Sequence, residues 1–162
     1  MINVLLKGHE IKYDLMELIK VFFPREEILY IDTEDEYLGE GVLITNLLYE
    51  EGESIFSTTK LYIDNVLVKQ STENISVIEI YRDSVDKNIR IGIKKSLYDT
   101  LISMSESKIP WGVLTGIRPV KIVHDLLDKN IEESEIIRVL TEEYRLYPNK
   151  ATLILNIGKK QR

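Results

Sequence analysis

The sequence contains no cysteine, only two histidines and no long apolar run. Without cysteine the chain cannot form disulfides, thiolate metal sites or a cysteine nucleophile, and this composition fits a reducing compartment. His9 and His124 lie far apart, and neither has a companion at metal-ligand spacing, so we expect no metal site. A membrane span needs about 18 apolar residues in succession, and the first residues carry no signal-peptide pattern. We therefore expect a cytoplasmic protein with no membrane partner.

Basic residues are outnumbered: the chain has 21 Lys and Arg against 27 Asp and Glu, a formal net charge of −6. Because cations that neutralise phosphates supply most nucleic-acid affinity, nucleic acid is not an expected partner. The positive charge is nevertheless concentrated locally. No acidic residue occurs from Ser107 to His124, while Lys108, Arg118 and Lys121 lie inside that window.

The apolar periodicity changes once along the chain and predicts an α+β fold. The first half reads as a small N-terminal sheet with one helix. Its predicted elements are a strand over Ile2–Lys7, a helix over Glu10–Phe23, a strand over Glu27–Asp32, a hairpin of Gly41–Tyr49 and Ser54–Ile63, and further strands over Val66–Lys69 and Ile75–Tyr81. We predict a boundary between an α+β subdomain, residues 1–83, and a helical subdomain, residues 84–162.

Helical spacing dominates the second half. A long helix is predicted over Val85–Ser105. The residues assigned to its exposed face are Lys87, Arg90, Lys94 and Lys95. Shorter helices are predicted from Pro119, after a capping box that begins at Asn130, and from Pro148. The last helix ends on K-K-Q-R without a glycine cap or a stop signal, so we expect the natural chain to continue.

One stretch stands apart: Ile109 to Lys121 reads I-P-W-G-V-L-T-G-I-R-P-V-K and holds the only tryptophan. The residue before a proline is biased away from the α region, so we expect a loop that ends where Pro119 begins a helix. Arg118 and Lys121 would then place two cations at a helix end whose dipole is already positive, which costs roughly 0.3–1 kcal/mol per charge unless an anion binds there. We predict an anion site formed by these side chains, first-turn N–H groups and the Gly116 backbone. Alternatively, Arg118 pairs with an acidic side chain elsewhere.

Trp111 and His124 complete the candidate site residues. The indole of Trp111 would meet a flat ligand, such as a tetrapyrrole, or a neighbouring domain; alternatively, it packs in a core. His124 lies one turn beyond Val120 and would join the cation cluster. The alternative is a partly buried histidine whose hydrogen bonds are satisfied. No Ser–His–Asp arrangement, paired carboxylate or phosphate-binding glycine motif is present, so no residue is predicted to be catalytic.

The segment P-W-G-V-L-T-G-I-R-P-V-K, followed by I-V-H-D-L-L-D-K, closely resembles the segment before the catalytic barrel in HemZ-type proteins. These belong to the oxygen-independent coproporphyrinogen III oxidase-like radical SAM enzymes. The resemblance, strongest from Pro110 to Gln161, implies the N-terminal domain of an oxidoreductase that decarboxylates coproporphyrinogen propionates in haem biosynthesis. It also implies that the helical subdomain ends at the junction to a radical SAM barrel, which is absent from this sequence.

The same resemblance sets expectations for cofactors and partners. The family holds an iron–sulfur cluster on a C-x-x-x-C-x-x-C motif and uses S-adenosylmethionine, so both are expected in the full-length protein and neither in this cysteine-free chain. The partners would be the chain's own downstream barrel and the tetrapyrrole substrate. Arg118 and Lys121 would contact substrate carboxylates or the barrel, with Trp111 and Gly116 shaping the junction. A second hypothesis is a non-catalytic module that uses the same surface to bind an anionic ligand, RNA or a protein.

Overall fold

A computed structural model of the chain describes residues 1–75, 84–105, 109–114 and 119–161. The chain divides into two compact units, Met1–Ser107 and Lys108–Arg162, which we describe separately. A five-stranded sheet lies in the first unit, and the described elements of the second are helices and turns. The predicted α+β class is therefore confirmed.

The sheet is mixed, with the strand order β2-β1-β3-β4-β5. Its strands are β1 Ile2–Lys7, β2 Ile28–Ile31, β3 Val42–Glu51, β4 Ser54–Ile63 and β5 Val66–Asn74. β1 is parallel to both β2 and β3, whereas β3, β4 and β5 run antiparallel in sequence order. The predicted strand–helix–strand opening and the predicted hairpin are both confirmed. The strand predicted over Ile75–Tyr81 lies, beyond Ile75, outside the described residues.

Two helices cover one face of this sheet: α1, Lys12–Phe22, and α2, Val85–Ile102. α2 packs on β3, β4 and β5, and α1 packs against α2, where the rings of Phe22 and Tyr98 meet edge to face at 5.8 Å. Gly92 interrupts the apolar stripe of α2 for a reason, because a Cβ there would lie 2.3 Å from a side-chain carbon of Ile75. The prediction placed α2 among the later helices, but its apolar face is buried against the sheet, so it lies in the first unit.

The exposed face predicted for α2 is wrong at two of its four positions. Lys94 and Lys95 are each only 5% exposed, whereas Lys87 and Arg90 face solvent. The helix is enclosed by the sheet on one side and by α1 on the other, so its polar stripe is narrower than the sequence pattern suggests. Lys95 meets the Glu73 carboxylate of β5 at 2.8 Å.

Three helices are described in the second unit: α3 Pro119–Asp128, α4 Glu133–Arg138 and α5 Pro148–Lys160. α4 continues into a π-helical turn, Val139–Glu143. The side chains buried between these elements include Ile122, Val123, Leu126, Ile136, Leu140 and Ile154. The capping box predicted at Asn130 is wrong, because Asn130 has a left-handed φ of 59° just after α3 and Glu132 is the N-cap of α4.

Candidate functional site

The loop from Ile109 to Leu114 forms a tight turn that begins the second unit. The Gly112 N–H donates to the Ile109 carbonyl oxygen, and the Leu114 N–H to that of Trp111, each at 3.2 Å. Gly112 has a φ of 58°, in the left-handed region that favours glycine. The turning loop expected from the two prolines is confirmed for these residues.

This loop is held by the segment that joins α4 to α5. The Val113 N–H donates to the Tyr144 carbonyl oxygen at 2.9 Å, and the Tyr147 N–H donates back to the Pro110 carbonyl oxygen at 2.9 Å. Two backbone hydrogen bonds of opposite direction therefore clasp the loop to the turn at residues 144–147. Val113 is buried beneath them. The loop is thus a fixed part of the second unit, which suits a surface that must present side chains in one geometry.

Trp111 is half-buried in this clasp and has a cation above its ring. The Lys150 ammonium lies 5.4 Å from the indole ring centroid. Such an arrangement is attractive by about 0.5–1 kcal/mol at an exposed site. Lys150 lies in the first turn of α5, where the helix dipole is positive and an anion would be favoured. It is therefore a further cation at a helix start, as Lys121 is on α3. Lys150 was not among the predicted site residues: its position two residues after Pro148 indicates the first turn of a helix, but not a contact with Trp111.

His124 lies on α3, and its side chain forms part of the contact between α3 and α5. Its Nε2 lies 3.1 Å from the Gly158 carbonyl oxygen. A carbonyl only accepts hydrogen bonds, so Nε2 carries the proton. A Cβ on Gly158 would lie 2.5 Å from a methyl carbon of Val123, so the glycine lets the two helices approach closely. Lys121 is exposed on the first turn of the same helix.

The structure separates two of the predicted site residues. Trp111 contacts α5 at Lys150 and His124 contacts it at Gly158, and eight residues of α-helix span about 12 Å. Trp111 and His124 therefore do not converge on one ligand atom. Arg118 and Gly116 lie outside the described residues, so their contribution to the anion site stays a prediction, as does that of Lys121.

A second polar group, missed by the sequence analysis, lies in the first unit beneath α2. Asn46 is 1% exposed, and its amide group donates to Ser57 Oγ at 3.0 Å and to Thr59 Oγ1 at 2.9 Å. Both hydroxyls also lie 2.8 Å from Ser96 Oγ on α2. Thr59 is fully buried, because its position on β4 faces the helix. These residues satisfy one another and bind the helix to the sheet.

His9 joins this network from the loop between β1 and α1. The Ile11 N–H donates to His9 Nδ1 at 3.1 Å, so the proton is on Nε2, which donates to Asn46 Oδ1 at 2.6 Å. Burial lowers the pKa of His9, and its hydrogen bond to Asn46 only partly offsets this. His9 also lines a crevice of about 450 Å3 at the carboxyl ends of β1 and β2, together with Glu10, Lys12 and Tyr30.

The lowered pKa of His9 predicts a stability that falls in acid. The unfolded chain binds a proton near pH 6.5, but the folded chain resists it because burial of the His9 ring disfavours the charged imidazolium. The contribution of His9 to the free energy of unfolding is therefore complete above pH 6.5. It declines as the pH falls through 6.5 towards the lower pKa of His9 in the folded chain. Urea unfolding at pH 7.5, 6.5 and 5.5 should show a smaller decline for His9→Gln than for the wild type. Equal declines would contradict this role of His9.

Comparison with known proteins gives one curated relative of significance. Over 138 residues the chain is 22% identical to the oxygen-independent coproporphyrinogen-III oxidase-like protein HemZ of Bacillus subtilis. The match covers 73% of this chain and 28% of the relative, so the chain spans less than a third of that protein. No family model matches the sequence, and no solved structure matches it significantly. The resemblance to HemZ-type proteins is thus confirmed as a distant similarity.

Among the helices that the structure describes, none is long and apolar enough to cross a membrane.

Proposed function

We propose that this chain is the N-terminal accessory domain of an oxygen-independent coproporphyrinogen III oxidase-like radical SAM protein. The observation that carries the proposal is the similarity to HemZ over 73% of the chain. The match covers 28% of HemZ, which supports an assignment to one part of such a protein. This domain would bind the substrate or dock against the catalytic barrel, and the rest of the protein would carry out the reaction.

The residues of this chain do not fit an iron–sulfur cluster. Such clusters are held by cysteine thiolates, and the sequence contains none. Within residues 1–75, 84–105, 109–114 and 119–161, no group of three or more His, Asp or Glu could hold a metal ion. The cluster and S-adenosylmethionine of the proposed protein would therefore bind to other residues, and we assign no step of the decarboxylation to this chain.

The loop from Ile109 to Lys121 is the surface that we assign to the barrel or to substrate carboxylates. Its first half is rigidly clasped, with Trp111 half-buried and the Lys150 ammonium over the ring. An indole wall next to an ammonium would suit a carboxylate attached to an apolar body, such as a propionate of a tetrapyrrole. Lys121, exposed on the first turn of α3, would add a second contact.

The proposal predicts the activity of the complete protein. The reading frame that contains this chain should encode C-x-x-x-C-x-x-C, and the full-length protein, reconstituted without oxygen, should consume coproporphyrinogen III and S-adenosylmethionine. Lys121→Ala should lower kcat/KM about tenfold, the worth of one hydrogen bond to a charged group, with cluster absorbance unchanged. Lys160→Ala removes the same charge from the exposed end of α5 and should have no effect. A full-length protein that binds a cluster but leaves coproporphyrinogen III unchanged would contradict the proposal.

A further inference from the structure

The sheet face opposite α1 and α2 carries a shallow cavity of about 360 Å3. Side chains alternate along each strand, so the residues on this face are those that do not meet the helices. The lining includes Lys7, Leu47, Tyr49, Thr58 and Lys60, with Glu34 from the turn after β2. A cavity of this volume lies near the lower end of the range of roughly 300–1,000 Å3 in which proteins hold small ligands.

Two lysines stand on either side of this cavity. Lys60 of β4 pairs with Thr45 of β3, and Lys7 of β1 pairs with Leu47 of β3. β3 therefore lies between the two lysine-bearing strands, which are about 10 Å apart at two strand spacings. Both long side chains can reach a point above β3.

The chain's own Glu34 carboxylate lies in the same cavity, which Lys7, Lys60 and Glu34 all line. It lies 2.8 Å from the Lys7 ammonium. The pKa of Glu34 is lowered, first by the hydrogen bond and charge of Lys7 and more weakly by the charge of Lys60. Lys7 contacts this carboxylate directly and Lys60 lines the same cavity from another strand, so an anion is favoured at this position.

Glu34 holds this position only weakly. The Lys7–Glu34 pair is 51% and 70% exposed, and such surface pairs contribute about 0–1 kcal/mol. Glu34 belongs to a single 3₁₀ turn, Glu34–Glu36, whose capping box uses Thr33 and Glu36 instead. The turn therefore does not depend on the Glu34 side chain, and another anion can replace it at little cost.

We propose that this sheet face binds a carboxylate ligand with a flat apolar body, whose carboxylate replaces that of Glu34 between Lys7 and Lys60. The apolar body would lie on Leu47, which is 39% exposed, and beside Tyr49, whose ring stacks on Phe56 at a centroid distance of 5.5 Å. Thr58 Oγ1, which is 2.8 Å from Thr72 Oγ1, adds a hydroxyl to the floor. The inference goes beyond the proposed function, because it uses the first unit alone and none of the residues from Ile109 to Lys121.

Titration of the 15N-labelled chain with 2-naphthoate, a flat aryl carboxylate, tests the proposal. The amide signals of β3 and β4 around Leu47 and Thr58 should shift, and Lys7→Gln or Lys60→Gln should weaken binding by roughly threefold or more. Glu34→Gln should strengthen it by a similar factor, because the competing carboxylate is gone. Asp35→Asn removes one charge from the same turn and should change the affinity much less, since Asp35 does not line the cavity.

Three outcomes would overturn the proposal. Unchanged affinity in both lysine variants would show that the cations are not used. Equal binding of uncharged 2-naphthamide would show that the face does not recognise the carboxylate. Inorganic phosphate that displaces 2-naphthoate at equal concentration would show that the apolar body contributes nothing. Lys7, Glu34 and Asp35 are exposed and Lys60 is half-buried, so no substitution disturbs the core and circular dichroism of each variant should match the wild type.

Discussion

Replacing Gly112 with alanine is expected to lower the free energy of unfolding by about 3 kcal/mol or more. With a φ of 58°, an added Cβ would lie 2.1 Å from the Tyr144 carbonyl oxygen and 2.4 Å from the Arg145 carbonyl carbon. Both are backbone atoms, so no side-chain rotation relieves the overlap. The loop would have to withdraw from the turn, which would break the hydrogen bonds made by the Val113 and Tyr147 N–H groups.

Trp111 is the only tryptophan, so its fluorescence during urea unfolding reports directly on this loop. Gly52→Ala is the matched control, because Gly52 has a φ of 64° but an added Cβ would meet nothing within 4 Å. The free energy of unfolding of Gly52→Ala should fall by about 1 kcal/mol, from backbone strain alone. Equal losses in the two variants would contradict the close approach of the loop to Tyr144 and Arg145.

The turning backbone of the loop at Ile109–Leu114 could be predicted from sequence, but the residues that the loop contacts could not. Proline restricts the residue before it and glycine permits a left-handed φ, so the turn at Ile109–Leu114 follows from neighbouring residues. The carbonyls of Tyr144 and Arg145 come much later in the chain, and no local preference specifies that they meet Gly112. Lys150 was missed for the same reason, because only the clasp brings it over Trp111.

The sheet shows the same limit. Alternating β-branched residues and the glycine turn at Gly52 predict that β3 and β4 form a hairpin, because both signals are local. The pairing of β1 with β3 depends on contacts distant in sequence, so the cavity between Lys7 and Lys60 could not be predicted from either strand alone. At Asn130 two local preferences compete. Asparagine suits both an N-cap and a left-handed residue after a helix, and the structure uses the second.

Buried lysine is the feature that helical periodicity predicts least well, because lysine is almost never fully buried unless it is paired. Lys94 and Lys95 are adjacent on α2 and equally buried, yet their surroundings differ. Lys95 meets Glu73, itself only 16% exposed, at 2.8 Å. The pKa of Lys94 is lowered by burial first, with a partly compensating attraction to Asp14 and a repulsion from Arg90. The two lysines should therefore respond in opposite ways to replacement by a neutral side chain.

Lys95→Met is expected to lower the free energy of unfolding by about 3 kcal/mol, because it leaves the largely buried Glu73 carboxylate without this ammonium. Lys94→Met should be neutral or stabilising by about 1 kcal/mol, since methionine keeps the apolar stem and removes a charge that burial disfavours. Urea unfolding at pH 7 measures both. The double variant Lys95→Met with Glu73→Leu should recover most of the loss, because neither buried charge then remains. If Lys94→Met cost as much as Lys95→Met, Lys94 would also have an indispensable partner, and the contrast drawn from their surroundings would be wrong.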